Sequence, residues 1–205
     1  MIQVLSTETI QKIAAGEVLE RPVSVVKDLV ENSFDADADS IIVEIRKGGK
    51  EYIHVQDNGS GIEKDDFETA FERHATSKIS DFDDLYRIHS LGFRGEALAS
   101  IVSVSRVSAR SKTEPESLGS ELQYENSKLI SKKPMAMSTG SEIVVEDLFF
   151  HVPVRKKFLK SDQAEGNQIT SLMYSLAVGN PQISFQFIKD GRHIFQTNKD
   201  NSFEE

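Results

Sequence analysis

Between Val23 and Ala38 the apolar residues Val25, Val26, Leu29, Val30 and Phe34 recur at three- and four-residue spacing, which predicts a helix with one stripe turned to a core. Pro22 suits its first turn. The period then shortens to two. Ser40 to Arg46 and Tyr52 to Gln56 read as strands reversed by Gly48-Gly49. Asp65 to Arg73 reads as a helix with Phe67, Ala70 and Phe71 inward, and another helix follows the glycines of Leu91 to Leu98 and continues through Val102. Alternation returns in Val104 to Ser111, Ser120 to Glu125, Lys128 to Ser131 and Gly140 to Asp147, with loops at Thr113 to Gly119 and Lys132 to Gly140. Gln163 to Val178 is a helix stopped by Gly179-Asn180-Pro181, and a hairpin about Asp190-Gly191 joins Ile183 to Lys189 with Arg192 to Gln196. At the amino terminus, a short helix over Ile10 to Ala15 closes at Gly16. No repeat or linker interrupts the pattern, so residues 1–205 are expected to form one domain.

Composition changes this picture little. With 38% apolar and 28% charged residues the chain can bury a core. No apolar run approaches a membrane span and no basic-then-apolar leader opens the chain, so a cytoplasmic protein is expected. The absence of Cys removes thiolate metal sites, and the five His show no H-x-x-x-H pairing. A net charge of −9 argues against a broad nucleic-acid face. The one dense basic run, Arg155, Lys156, Lys157 and Lys160, reads as a solvated helix start.

Three stretches carry candidate chemistry. Asp28, Asn32 and Asp35 lie along the margin of the central stripe, where a carboxylate and a carboxamide one turn apart either form a solvated acidic face or hold a water and a hard cation. Asp57-Asn58-Gly59-Ser60-Gly61 stands at a strand end. It is either an ordinary turn or an acid fixed by the sheet, with glycines that let backbone approach a flat ligand. Leu91 to Leu98 places two glycines before a helix, which is either a plain loop or an anion site of free N–H groups. It is not a Walker loop, because no Gly-Lys-Ser/Thr follows.

Four segments in order are more specific than any one of them: I-A-A-G-E-V at Ile13 to Val18, D-N-G-S-G-I at Asp57 to Ile62, R-H-A-T-S-K at Arg73 to Lys78, and G-F-R-G-E-A-L at Gly92 to Leu98. On them the chain resembles the amino-terminal ATPase domain of the MutL family of DNA mismatch repair proteins, within the GHKL class that includes gyrase B subunits, heat-shock chaperones and histidine kinases. The resemblance implies an α/β two-layer sandwich, with helices on one face of a mixed, mostly antiparallel sheet and ATP between the layers. It implies Asn32 as the Mg2+ ligand and Asp57 as the acceptor for the adenine amino group. Gly61, Ile62, Thr76, Ser77 and Lys78 would line the nucleotide. Gly92, Phe93, Arg94, Gly95, Glu96, Ala97 and Leu98 would wrap its phosphates as part of a lid. Gly140-Ser141 matches a motif where the family usually has Gly-Thr, keeping the hydroxyl that supports adenine recognition.

The sequence departs from that family at three places. The general base is a Glu at the position of Asp28; Asp is one methylene shorter and would sit roughly 1.5 Å further from the attacking water. Glu31, a fallback base, points about 100° around the helix from Asn32. His151-Val152-Pro153-Val154-Arg155 stands where the family tends to show Asn-Thr-Pro-Ala-Arg. The chain ends at Glu205, close to where the family continues into a second subdomain and later a dimerisation domain, so it is expected to be the amino-terminal part of a longer protein.

The resemblance implies a slow ATPase used as a switch. ATP and Mg2+ bind, a second copy associates, and a mismatch recognition protein is coupled to a downstream nuclease and helicase, with DNA contacted weakly or through other regions. It places the protein in the bacterial cytosol, acting at the nucleoid. The alternative is a module that binds ATP without hydrolysing it. A sensor-kinase reading lacks a phospho-acceptor dimerisation helix, and R-H-A-T-S-K with G-F-R-G-E-A-L favours repair over a topoisomerase.

Overall fold

The computed structural model describes residues 19–73, 75 and 96–199. Among the described residues eight strands form one sheet: β1 (Ser40–Arg46), β2 (Tyr52–Asp57), β3 (Arg106–Lys112), β4 (Gly119–Glu125), β5 (Lys128–Met135), β6 (Gly140–Glu146), β7 (Ser184–Lys189) and β8 (Arg192–Gln196). Their order is β5-β4-β3-β6-β2-β1-β7-β8, and every pair is antiparallel except β1 with β7. Helices α1 (Pro22–Asp35), α2 (Ala97–Val104) and α4 (Asp162–Gly179) cover one face, and a short α3 (Pro153–Phe158) precedes α4. The architecture is the two-layer sandwich expected, with a mixed, mostly antiparallel sheet.

The core lies between α1 and the inward rows of the central strands. Val25, Val26, Leu29 and Val30 are buried on the helix, against Ile41, Val43 and Ile45 of β1 and Ile53 and Val55 of β2. Below α4, Ile169 and Met173 join them. The carboxylate of Glu165 is fully buried there and accepts from Arg21 Nη2 (2.9 Å) and the Lys160 backbone N–H (2.8 Å). That pairing ties the start of α1 to the start of α4, so the charge is matched and hydrogen-bonded where it is buried.

Three elements differ from the sequence pattern. The central helix stops at Asp35 rather than reaching Ala38, because Asp37 takes a left-handed conformation (φ 56°). Its N–H and that of Ala38 turn back to the carbonyls of Phe34 and Ser33, closing the helix. Asp65 to Arg73 is not a helix but a run of turns with a single 3-10 turn at Thr69–Phe71. Asp65 with Glu68, and Glu68 with Glu72, would stack like charges on one helical face. Phe67 and Phe71 still reach the core, where Phe71 stacks on Tyr124. β5 runs on past Ser131 to Met135; it is an edge strand, where Lys132, Lys133 and Pro134 are tolerated. Arg155, Lys156 and Lys157 of the basic run lie in a short helix, α3, as the pattern predicts, with Lys160 beyond its end, and Arg155 donates to the Leu19 carbonyl (3.1 Å). Among the described residues no helix is long and apolar enough to cross a membrane.

Candidate functional site

At one end of the sheet the inward rows change from apolar to polar. β2 runs Ile53, Val55, Asp57; β3 runs Val107, Ala109, Ser111; β6 opens with Ser141 before Ile143 and Val145. Pairing places Asp57 opposite Ser141, and Ser141 opposite Ser111. Facing residues of antiparallel strands share a face, so a carboxylate and two hydroxyls cluster at the helix side of three neighbouring strands.

Asp57 is half-buried and well supplied with donors. Its Oδ1 accepts from the backbone N–H groups of Gly59 (2.9 Å) and Ser141 (3.2 Å). Its Oδ2 lies 3.0 Å from the Ser33 hydroxyl, whose single proton is shared between Oδ2 and the Leu29 carbonyl at 3.2 Å. A carboxylate has about four acceptor directions. Three are filled by these contacts, and one on Oδ2 remains for a ligand donor among the described residues. Burial pushes the Asp57 carboxyl up, opposed by the Gly59 N–H, the Ser33 hydroxyl and the Ser141 N–H. The open direction on Oδ2 can accept from an N–H group of a ligand.

The loop after Asp57 is fixed by backbone approaches that exclude side chains. Ser60 N–H donates to the Ala36 carbonyl (2.9 Å), holding the loop against the end of α1. Gly61 is left-handed (φ 73°), and a Cβ there would stand 2.2 Å from the Lys112 carbonyl oxygen. Ile62 N–H donates to Ser111 Oγ (2.7 Å), and Ser111 Oγ lies 3.3 Å from both the Gly140 carbonyl and Ser141 Oγ. Asn58 accepts from the N–H groups of Asp39 and Ser40 and donates to the Asp39 carboxylate, so it serves the turn.

Gly140 makes an equally close approach. Its φ is 127°, and a Cβ would lie 2.2 Å from the Asp57 carbonyl oxygen. Gly140→Ala is expected to destabilise the fold by about 2–3 kcal/mol, read by denaturant unfolding, because the atoms a Cβ would meet are backbone of Asp57 and Asn58 and cannot swing aside as a flexible side chain would.

Asp28 and Asn32 lie one turn apart on the half-buried margin of α1. Burial first, then the negative charge of Glu31, pushes the Asp28 carboxyl up to about 6, with Lys27 acting the other way. Glu31 itself pairs with Lys27 (3.1 Å), so the fallback base is engaged by a neighbouring cation. Glu96 stands at the N-cap of α2, and Ala97 and Leu98 form the first turn, half-buried. Thr76, Ser77, Lys78, Gly92, Phe93, Arg94 and Gly95 lie outside the described residues, as do Ile13 to Val18.

Two buried hydroxyls, Ser33 and Ser111, were not singled out by sequence reasoning. Each had a signal. Ser33 stands four residues after Leu29 in the buried stripe, and Ser111 ends the inward alternation of β3. A polar residue at a core position needs a partner, and here the partners are Asp57 and the loop that follows it.

The mixed, mostly antiparallel sheet with its helices on one face, and a polar cluster at the strand ends beneath them, fit one known class. A family model described as histidine kinase-, DNA gyrase B- and HSP90-like ATPase matches residues 20–148, and the chain belongs to that family. Within it, sequence and structure both match the MutL-type ATPase domain. The chain is 47% identical over 196 residues to the DNA mismatch repair protein MutL of Clostridium tetani, covering 96% of this chain and 32% of that protein. With MutL of Caldanaerobacter subterraneus it shares 47% over 204 residues, covering 100% and 35%. It thus spans about a third of the length of these relatives. The Aquifex aeolicus MutL ATPase domain complexed with ADP superposes with a TM-score of 0.75 at 36% identity, covering 90% of this chain and 66% of that one. The N-terminal domain of a DNA repair protein gives 0.77 at 29%, covering 92% and 56%.

Proposed function

We propose that this chain is the ATP-binding domain of a MutL-type DNA mismatch repair protein, residues 1–205 forming one domain of a longer chain. It binds ATP with Mg2+ and hydrolyses it slowly as a conformational switch. The observation that carries the reading is the remaining acceptor on Asp57 Oδ2, which suits the exocyclic amino group of adenine. A structural relative at 36% identity holds ADP. Gly61 and Ile62 border the base, Ser141 supports Asp57, and Thr76, Ser77 and Lys78 complete the nucleotide lining. Gly92 to Leu98 wraps the phosphates.

Asn32 would hold the cation: its carboxamide oxygen, on the half-buried margin of α1, is the hard oxygen donor that magnesium takes, and magnesium needs only one or two protein oxygens while keeping waters and phosphates. When bound, Mg2+ neutralises phosphate charge. Asp28, ionised at neutral pH, accepts the proton of the attacking water. Two copies associate on ATP binding, and the full-length protein links a mismatch recognition protein to a repair nuclease and helicase, with weak DNA contact. The second reading, ATP binding without hydrolysis, is favoured by the short reach of Asp28.

Titrating the chain calorimetrically with a non-hydrolysable ATP analogue tests the reading: binding that magnesium tightens is expected, and a folded chain that binds none contradicts it. Ser33→Ala is expected to weaken that binding about 3- to 10-fold, because one donor to Asp57 is lost while the base acceptor remains. Unchanged affinity would remove Ser33 from the site.

A further inference from the structure

We infer that Glu116, in the turn between β3 and β4, is a positioning residue that sets the base-side loop Gly59–Lys64 for nucleotide binding; this rests on the nucleotide reading of the site. The loop has no regular structure of its own and is held through backbone N–H groups. Ser60 N–H reaches Ala36, Ile62 N–H reaches Ser111 Oγ, and Lys64 N–H donates to Glu116 Oε1 (3.0 Å). The other oxygen, Oε2, accepts from the Thr113 N–H (2.8 Å), while the Glu116 N–H closes the turn on the Thr113 carbonyl (3.2 Å). One carboxylate thus bridges the last residue of the loop and the end of the strand that carries Ser111. Between the two attachments Gly61 lies against the Lys112 carbonyl, too close to admit a Cβ.

The two backbone donors are charge-assisted partners of a single anion. The Thr113 N–H, with the Lys64 N–H adding to it, holds the Glu116 carboxyl below the usual carboxylate range, so the bridge stays ionised through neutral pH. Glu116 is half-buried in the turn between β3 and β4, outside the apolar core, so its loss opens no cavity there. Its removal leaves the Ser111 bond to Ile62 and the Asp66 N–H bond to the Glu63 carbonyl (3.0 Å) intact but frees the Lys64 N–H, so setting that end of the loop falls to the ligand, at the expense of affinity.

The test measures adenosine and ATP-analogue affinity and melting temperature of the 205-residue chain as wild type, Glu116→Ala, Glu116→Gln, Glu116→Asp and Asp57→Asn. Glu116→Ala is expected to weaken both ligands by the same factor, about 5- to 10-fold, with a melting shift under about 2 °C. An equal factor locates the effect at the base rather than the phosphates. Gln keeps one acceptor and is expected to recover about half of that loss; Asp, a methylene shorter, cannot reach both donors and behaves as Ala. Wild-type affinity in Glu116→Ala, or an affinity loss that tracks falling melting temperature across the three variants, overturns the proposal. If Asp57→Asn binds as wild type does, or the wild type binds neither ligand, the nucleotide reading fails and this one with it. Loss in Asp57→Asn with normal binding in Glu116→Ala sinks the Glu116 role alone.

Discussion

Asp28→Asn, measured in the full-length protein, is expected to lower ATP hydrolysis by about 100-fold or more while changing ATP-analogue affinity less than about 3-fold. The carboxyl sits at about 6, so roughly nine-tenths is ionised at pH 7 and the wild-type rate is expected to fall as pH drops through 6. The same shift has a stability consequence of opposite sense. The folded chain binds this proton more tightly than the unfolded chain, whose carboxyl titrates near 3.8, so stability falls as pH rises from about 4 to about 6. Asp28→Asn is therefore expected to be more stable than wild type by about 1–2 kcal/mol at pH 8, discounting for partial solvation, and equal to it near pH 3.5. Asp28→Glu separates the two readings. If Asp reaches the water poorly, the longer Glu raises turnover about 10-fold or more. No rise means that Asp28 already serves; hydrolysis absent from wild type and present in Asp28→Glu favours the binding-only module.

Asp57→Asn is expected to weaken ATP binding by at least about 100-fold without unfolding the chain. The direction of the amide is determined by the backbone. The N–H groups of Gly59 and Ser141 both require an acceptor, so the Asn carbonyl takes the Oδ1 position and its NH2 takes that of Oδ2. The Ser33 hydroxyl can accept from that NH2 and give its own proton to Leu29, so the fold loses little. Adenine then meets a donor where it needs an acceptor. Calorimetry with a non-hydrolysable analogue reads the loss, and a circular dichroism melt confirms that the variant is folded. Binding within about threefold of wild type would remove Asp57 from base recognition.

What could be read from the sequence follows from where each decision is made. The stripe of α1 and the alternation of β1 and β2 were legible because a period of 3.6 or 2 is written in neighbouring residues. The stop at Asp35 was not, because it depends on Asp37 adopting a left-handed conformation that its residue type permits but does not require. Residues 65–73 show the same limit: the inward spacing of Phe67 and Phe71 was visible, whereas the irregular backbone also depends on repulsion and on fastening through Lys64 and through the Glu68 bond to Lys132. At the site, Asp57 announced itself as an acid beside two glycines. Ser33 and Ser111 did not, since a serine within an apolar period reads as a tolerated polar residue until the carboxylate beside it is known.

The most direct measurement compares an adenine with a guanine nucleotide analogue in calorimetric titration of the wild-type chain with magnesium. The Oδ2 acceptor of Asp57 faces an amino group in adenine and a carbonyl oxygen in guanine, so the expected result is binding of the adenine analogue and at least about 100-fold weaker binding of the guanine analogue. Equal affinity for the two, or no binding of either by the folded chain, would contradict base recognition by Asp57.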